Sequence, residues 1–133
     1  MFLKSYEPKE KNLKNISCGG YCMYLKFEKI EDKLIVYLMG ELDHHSAEEV
    51  RNKVDDRLDR DNYNKLIMDF TNVTFMDSSG IGVVIGRYKK LSLKKGIVCV
   101  ASINNSVSRV FELSGMYKII NRYDSVEQAA QSI

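Results

Sequence analysis

The 133-residue sequence is poor in several residue types, and each shortage excludes a class of protein. It has no Trp, one Pro and eight Gly, which excludes a low-complexity or collagen-like chain. No apolar run approaches the roughly 20 residues that a membrane-spanning helix needs. Because 44% of the residues are hydrophobic and 29% are charged, the chain is typical of a globular protein, and its length predicts one domain.

The net charge of +2 comes from the beginning of the chain. Residues 1–22 hold four Lys and two Glu, which leaves 16 basic and 16 acidic side chains in residues 23–133. An electrically neutral body has little attraction for nucleic acid or an anionic membrane. We therefore expect no direct contact with either.

Cysteine and histidine are also scarce, which argues against a metal site. Cys18 and Cys22 have three residues between them, and no His follows to complete a zinc site. Cys99 lies in an apolar run typical of a buried strand, where a thiol acts as a small hydrophobic group. We expect no disulfide and no metal, as is usual in the reducing cytoplasm.

Residues 1–22 show neither strand alternation nor a helical stripe, and Pro8 interrupts them. They lack the apolar segment of a secretory signal, so we expect a disordered extension. A regular pattern begins only at Met23. A further hypothesis is that the native protein starts at Met23 and that Gly19 and Gly20 are translated from a ribosome-binding site.

From Met23 onward, strand and helix patterns alternate. This predicts an α/β domain with a mixed, mostly parallel sheet of about five strands, packed with four helices. The expected strands are residues 24–30, 33–41, 65–70, 97–101 and 117–121. Apolar residues at helical spacing predict four helices, which begin at residue 46, run from 81 to about 95, lie near 107–114 and begin at 125. The second strand is almost continuously apolar, so we expect it to be central and covered on both faces.

Two loops carry polar residues where strands end and helices begin, the usual place for binding sites in such sheets. The first, residues 43–46, ends at Ser46, which forms the S-x-x-E pattern of a capping box with Glu49. The second, residues 77–79, places two hydroxyls at a helix start, whose unpaired N–H groups suit a cap or a phosphate. We expect the loops to form one surface, and Gly82 and Gly86 to bring the second helix close to the sheet.

The residues offer little support for catalysis. Ser78 is not in a G-x-S-x-G elbow, and only His44 and His45 could serve as its base. The helix glycines lack the spacing of a phosphate-binding loop. We expect no enzymatic activity and no cofactor; a small nucleotide-binding or hydrolytic domain is the alternative. From the residues alone, Ser78 and Ser79 are equal candidates for phosphorylation, and helix capping would be a sufficient role for Ser78.

Three stretches resemble the anti-sigma factor antagonists of the STAS-domain family, most closely the sporulation members that act on the anti-sigma-F factor. They are residues 40–48 (GELDHHSAE), 75–89 (FMDSSGIGVVIGRYK) and 107–120 (V-x-R-V-F-x-x-S-G-x-x-K-I-I). The resemblance implies a STAS-like single domain over residues 23–133. One departure is Asn104-Asn105, where relatives often carry Pro.

The resemblance also implies a function, that of a cytoplasmic anti-sigma factor antagonist that works by partner switching. Ser78, the first serine of the D-S-S-G motif, would be phosphorylated by an anti-sigma factor that is also an ATP-dependent serine kinase. The unphosphorylated protein, a monomer when free, would bind this kinase and release the sigma factor. A protein serine phosphatase would reset it. A STAS binding module of another regulator pair, such as one for general stress, is the alternative.

For the interface, the resemblance implies that Asp43 is a carboxylate that meets an Arg of the kinase. Asp43→Ala would then weaken kinase binding without lowering the melting temperature. The residues expected to contact the partner, besides Ser78, are Asp43, Ser46, Asp77, Ser79, Gly80 and Ile81.

Overall fold

The computed structural model describes residues 13–18 and 21–133, with side chains from Met23 onward. This part of the chain contains six strands and four α-helices. The strands are β1 (Leu13–Cys18), β2 (Tyr21–Ile30), β3 (Lys33–Leu42), β4 (Lys65–Met76), β5 (Ile97–Ala101) and β6 (Asn121–Tyr123). The helices are α1 (Ala47–Arg60), α2 (Ser78–Ser92), α3 (Asn105–Ser114) and α4 (Val126–Ser132). None of these helices is long and apolar enough to cross a membrane.

The strands form one sheet in chain order, from β1 to β6. β2 pairs antiparallel with both β1 and β3, whereas the neighbouring strands from β3 to β6 are parallel. A two-residue turn joins β2 to β3, and Glu31 in this turn has a φ of 57°. The five strands from β2 to β6 confirm the predicted mixed, mostly parallel sheet packed with four helices.

The described part of the N-terminal extension differs from the expected disorder. Leu13–Cys18 forms β1, which pairs antiparallel with β2, and β2 itself begins at Tyr21. An edge strand can be held by backbone hydrogen bonds to its neighbour, so it does not need alternating apolar and polar side chains. The sequence pattern therefore did not reveal β1. The rest of the predicted extension, residues 1–12 and 19–20, lies outside the described residues. The start at Met23 stays a prediction.

Helices cover both faces of the sheet, which explains the apolar central strands. On one face, α1, α2 and α3 contribute Val54, Val84 and Phe111 to the larger core. On the other face, Ala129 of α4 packs in a smaller core with Ile35 of β3. Successive side chains of β3 therefore enter opposite cores, as the apolar run predicted.

Cys99 lies in the smaller core and is fully buried. Burial raises the pKa of its thiol to about 12, because a thiolate would lose its hydration there. The thiol therefore stays protonated near neutral pH and packs as the small hydrophobic group that the sequence predicted.

Close packing at the start of α2 depends on Gly80, whereas the sequence predicted it at Gly82 and Gly86. A Cβ atom on Gly80 would lie 2.4 Å from Cγ of Met76 and 3.1 Å from Cδ2 of Leu42. Among the described residues, nothing lies within 4 Å of a Cβ built on Gly82 or Gly86. The prediction was wrong because the spacing of glycines in a helix does not reveal which of them faces the sheet.

Two local predictions also need correction. Ser46 is the N-cap residue of α1, but its side chain makes no capping hydrogen bond, so the capping box does not form. The strand expected at residues 117–121 lies at Asn121–Tyr123, after a 3-10 helix at Met116–Lys118. One apolar residue of the expected strand, Ile120, enters the larger core from the bend that follows this 3-10 helix.

Candidate functional site

The two polar loops lie side by side at the carboxyl ends of β3 and β4. These strands are parallel neighbours, and Leu42 pairs with Met76 at their ends. The backbone N–H of Asp77 donates a hydrogen bond to the carbonyl oxygen of Leu42 at 3.3 Å. The loops therefore form one surface, as the sequence predicted.

In the second loop, Asp77 caps α2 and leaves the Ser78 hydroxyl unused. Oδ1 of Asp77 accepts a hydrogen bond from the N–H of Ser79 at 2.8 Å, the contact of an N-cap residue. Ser78 is the first residue of α2 and is exposed, whereas Ser79 is half-buried. The Ser78 hydroxyl has no hydrogen-bond partner among the described residues. Ser78 is therefore not the helix cap.

In the first loop, the polar side chains turn inward. Oδ1 of Asp43 accepts hydrogen bonds from the N–H groups of His45 at 2.9 Å and Ser46 at 3.2 Å. The Ser46 hydroxyl donates to the carbonyl oxygen of Glu41 at 2.9 Å and accepts from the N–H of Asp43 at 3.2 Å. Asp43 is 7% exposed and Ser46 is 1% exposed. Both side chains hold the loop backbone, a role that the sequence analysis did not assign to Asp43 and assigned to Ser46 only as a helix cap.

The predicted site residues differ in accessibility although they lie in adjacent loops. Ser78 is exposed, and three others are half-buried, namely Asp77, Ser79 and Ile81. The remaining three are buried, namely Asp43, Ser46 and Gly80. A protein partner that lands here meets Ser78 before any of the others.

Ser78 also borders a groove between α2 and α3 that the sequence analysis missed. The groove has a volume of about 340 Å³ and is lined by Asp77, Ser78, Ile81, Val110, Leu113 and Ser114. Leu113 is 77% exposed. It lies outside the buried helical stripe of α3, and an apolar residue off that stripe was the available signal. The lining suits an apolar side chain of a partner.

Comparison with known proteins decides the family. The STAS domain family matches residues 24–129 of this chain. The anti-sigma F factor antagonist of Paenibacillus polymyxa is 39% identical over 103 residues, which cover 77% of this chain and 88% of that protein. The chain is a STAS-domain protein of the anti-sigma factor antagonist family. Strand β1 lies outside the region that matches the family.

Solved structures of similar proteins share the fold of this STAS protein. The anti-sigma factor antagonist SpoIIAA in its unphosphorylated form has a TM-score of 0.72 at 29% identity, covering 81% of this chain and 94% of SpoIIAA. The Bacillus cell fate determinant SpoIIAA in the phosphorylated form has a TM-score of 0.65 at 28% identity. The match covers 81% of this chain and 97% of that one.

Asn104 secures the far side of the groove in this STAS protein. Its Nδ2 donates a hydrogen bond to the carbonyl oxygen of Val73 at 2.9 Å, and its Oδ1 accepts one from the N–H of Val107 at 3.1 Å. The side chain thus caps α3 and ties that helix to the end of β4. These two hydrogen bonds give the start of α3 a defined position.

The two histidines are exposed on the first loop, with ring centroids 4.0 Å apart. Neither ring is hydrogen-bonded to Ser78, whose hydroxyl lacks a partner among the described residues. Among residues 23–133, whose side chains the structure describes, there is also no group of three or more His, Cys, Asp or Glu side chains placed to hold a metal ion. The geometry thus offers no support for a serine nucleophile activated by a histidine base.

Proposed function

We propose that this STAS protein is an anti-sigma factor antagonist controlled by phosphorylation of Ser78. The unphosphorylated form binds an anti-sigma factor that is also an ATP-dependent serine kinase, and this kinase then releases its sigma factor. Phosphorylation of Ser78 ends the interaction, and a protein serine phosphatase restores it. The observation that carries the proposal is the exposed, unbonded Ser78 hydroxyl beside an apolar groove.

Accessibility favours Ser78 over Ser79 as the acceptor, a choice that the residue pattern left open. A kinase must bring the acceptor oxygen into line with the γ-phosphate of ATP, so the hydroxyl has to enter the kinase site. Ser78 can do so from the first position of α2. Ser79 is half-buried, and its N–H is held by Asp77 at 2.8 Å.

Phosphorylation should leave the free domain folded. A phosphoryl group adds about −1.5 to −2 charges, but at an exposed position these charges stay hydrated. The positive end of the α2 dipole stabilises them, and the neighbouring Asp77 opposes them. Because these effects oppose one another at the surface, we expect little change in the free energy of unfolding.

The large effect should occur in the complex. Burying an unpaired charge in a protein interface costs about 2–5 kcal/mol, which corresponds to roughly a 30- to 4,000-fold loss of affinity. An exposed ion pair is worth only about 0–1 kcal/mol and could not switch binding on its own. The proposal therefore places Ser78 inside the buried part of the interface.

Identity to the Paenibacillus polymyxa protein, an anti-sigma F factor antagonist, favours a sporulation pair over a stress-response pair. The test uses the anti-sigma F factor from the same genome as this chain, loaded with ATP. We expect a mass gain of one phosphoryl group on the peptide that contains Ser78. Ser79→Ala should retain this gain and Ser78→Ala should lose it. A gain that persists in Ser78→Ala, or no gain with any anti-sigma factor of that genome, would contradict the proposal.

A further inference from the structure

A second cavity lies between α1 and strand β2 and shares no lining residue with the groove beside Ser78. Its volume is about 310 Å³, within the range of small-molecule sites. The residues that line it are Phe27, Asn52, Lys53, Asp56, Arg57 and Arg60. Nothing in the proposed function uses this part of the molecule.

Cationic side chains dominate this lining. The lining has one anionic side chain, Asp56, and a net charge of +2. Its three cationic side chains are Lys53, Arg57 and Arg60. Asp56 is already ion-paired with Arg60. Within the described part of the chain, Lys53 and Arg57 form no ion pair. Two positive charges at one cavity are thus left without a counter-charge.

Arg57 is held in position to meet a ligand. Its guanidinium carbon lies 4.6 Å from the ring centroid of Phe27, whose side chain is buried. Nε of Arg57 is itself buried and has no hydrogen-bond partner in the described residues. A donor that water cannot reach is also out of reach of a ligand oxygen, so the contact would have to come from the terminal guanidinium nitrogens of Arg57.

A phosphate group matches both the charge and the donors of the cavity. It carries about −1.5 to −2 charges near neutral pH, and its oxygens can accept paired hydrogen bonds from a guanidinium. A single carboxylate would leave one cation unpaired. The carbonyl end of α1 works against any anion, so the side chains must supply the attraction.

We propose that this cavity binds a small molecule through a phosphate group, with Arg57 and Lys53 as the direct contacts. This site is independent of Ser78 and of the proposed function. The phosphate could belong to a free inorganic ion or to a larger metabolite, and the volume of the cavity allows both.

The test follows the backbone amides of the full chain by ¹H–¹⁵N NMR at constant ionic strength. Separate titrations use inorganic phosphate, pyrophosphate and glucose 6-phosphate, with chloride as the reference. We expect saturable shifts at Phe27 and at residues 52–60 with at least one phosphate compound and none with chloride. The compound that binds most tightly identifies the source of the phosphate.

Two variants of one helix make the test specific. Arg57→Met should weaken binding by about tenfold or more, the effect of losing a charge-assisted hydrogen bond. Arg51→Met removes the same charge from α1, but Arg51 pairs with Glu48 at 4.0 Å and does not line the cavity, so binding should be unchanged. Lys53→Met is a second loss variant should Arg57→Met fail to fold. Shifts that never saturate, or that weaken equally in both arginine variants, would overturn the proposal.

Discussion

The two loops at the carboxyl ends of β3 and β4 look alike in sequence, but the structure uses them in opposite ways. Each combines an Asp and a Ser just before or at the start of a helix. In the first loop, Asp43 and Ser46 are buried and satisfy backbone groups. In the second, Asp77 takes over the cap and Ser78 remains exposed. One loop is therefore part of the scaffold, and the other presents a group that can be modified.

This difference shows that a capping residue can make a neighbouring residue available for function. Because the Asp77 carboxylate satisfies the N–H of Ser79, the Ser78 hydroxyl has no structural task. It can be modified without loss of a native hydrogen bond. In the first loop, the same residue types have no such spare group, since Ser46 both donates and accepts.

The largest expected effect comes from placing a charge on the exposed loop. Ser78→Asp should lower affinity for the anti-sigma factor by up to the roughly 30- to 4,000-fold expected for a buried unpaired charge, and should leave the melting temperature unchanged. Isothermal titration calorimetry and thermal unfolding measure the two quantities. Ser132→Asp, at an exposed position of α4, is the control and should bind like wild type. Equal binding by Ser78→Asp and wild type would remove electrostatic exclusion as the mechanism.

A pair of glycines tests the packing beneath the exposed loop. Gly80→Ala should destabilise the protein by about 1–3 kcal/mol, because the added Cβ meets Met76 and Leu42. Gly82→Ala should stabilise it by about 0.5–1 kcal/mol, since its Cβ has open space and Gly weakens a helix. Urea denaturation gives both values. If the two variants lose similar stability, the close contact at Gly80 is not what limits packing there.

The scaffold role of the first loop predicts a loss of stability from Asp43→Ala. The change removes the acceptor of two backbone N–H groups and should cost about 0.5–2 kcal/mol, as for other lost caps. Ser78→Ala, which removes no hydrogen bond, serves as the control and should be neutral in the same denaturation experiment. A Tm of Asp43→Ala equal to that of wild type, together with weaker kinase binding, would instead favour the role implied by the family resemblance.

The smallest expected effect concerns two exposed leucines. Leu113→Ala should weaken binding of the anti-sigma factor by about fivefold, the loss of roughly 1 kcal/mol expected for an apolar contact in an interface. Leu93 is 88% exposed but lies just past the other end of α2, so Leu93→Ala should bind normally. Calorimetric titration of both variants with the anti-sigma factor measures the two affinities. Should Leu93→Ala lose as much affinity as Leu113→Ala, the groove would not be part of the interface.

Periodicity predicted most of the elements but failed where an element is held by its neighbours. The strand at Leu13–Cys18 carries no alternating pattern and depends on pairing with β2. The apolar residues Met116 and Ile120 resemble part of a strand, but Met116 reaches the core from a 3-10 helix and Ile120 from the bend after it. In both places, local sequence could not report a contact made with a distant part of the chain.

The order of residues along the chain was enough to specify the alternation of strands and helices, and with it the meeting of two polar loops at one edge of a parallel sheet. It also carried the motifs that mark the STAS family. Which polar side chains turn inward became visible only in the folded domain. That choice depends on contacts between segments far apart in the chain, such as the hydrogen bond from Asp77 to Leu42 and the packing of Gly80 against Leu42. Those contacts fix the backbone at the start of α2, and the fixed backbone leaves Ser78 facing solvent.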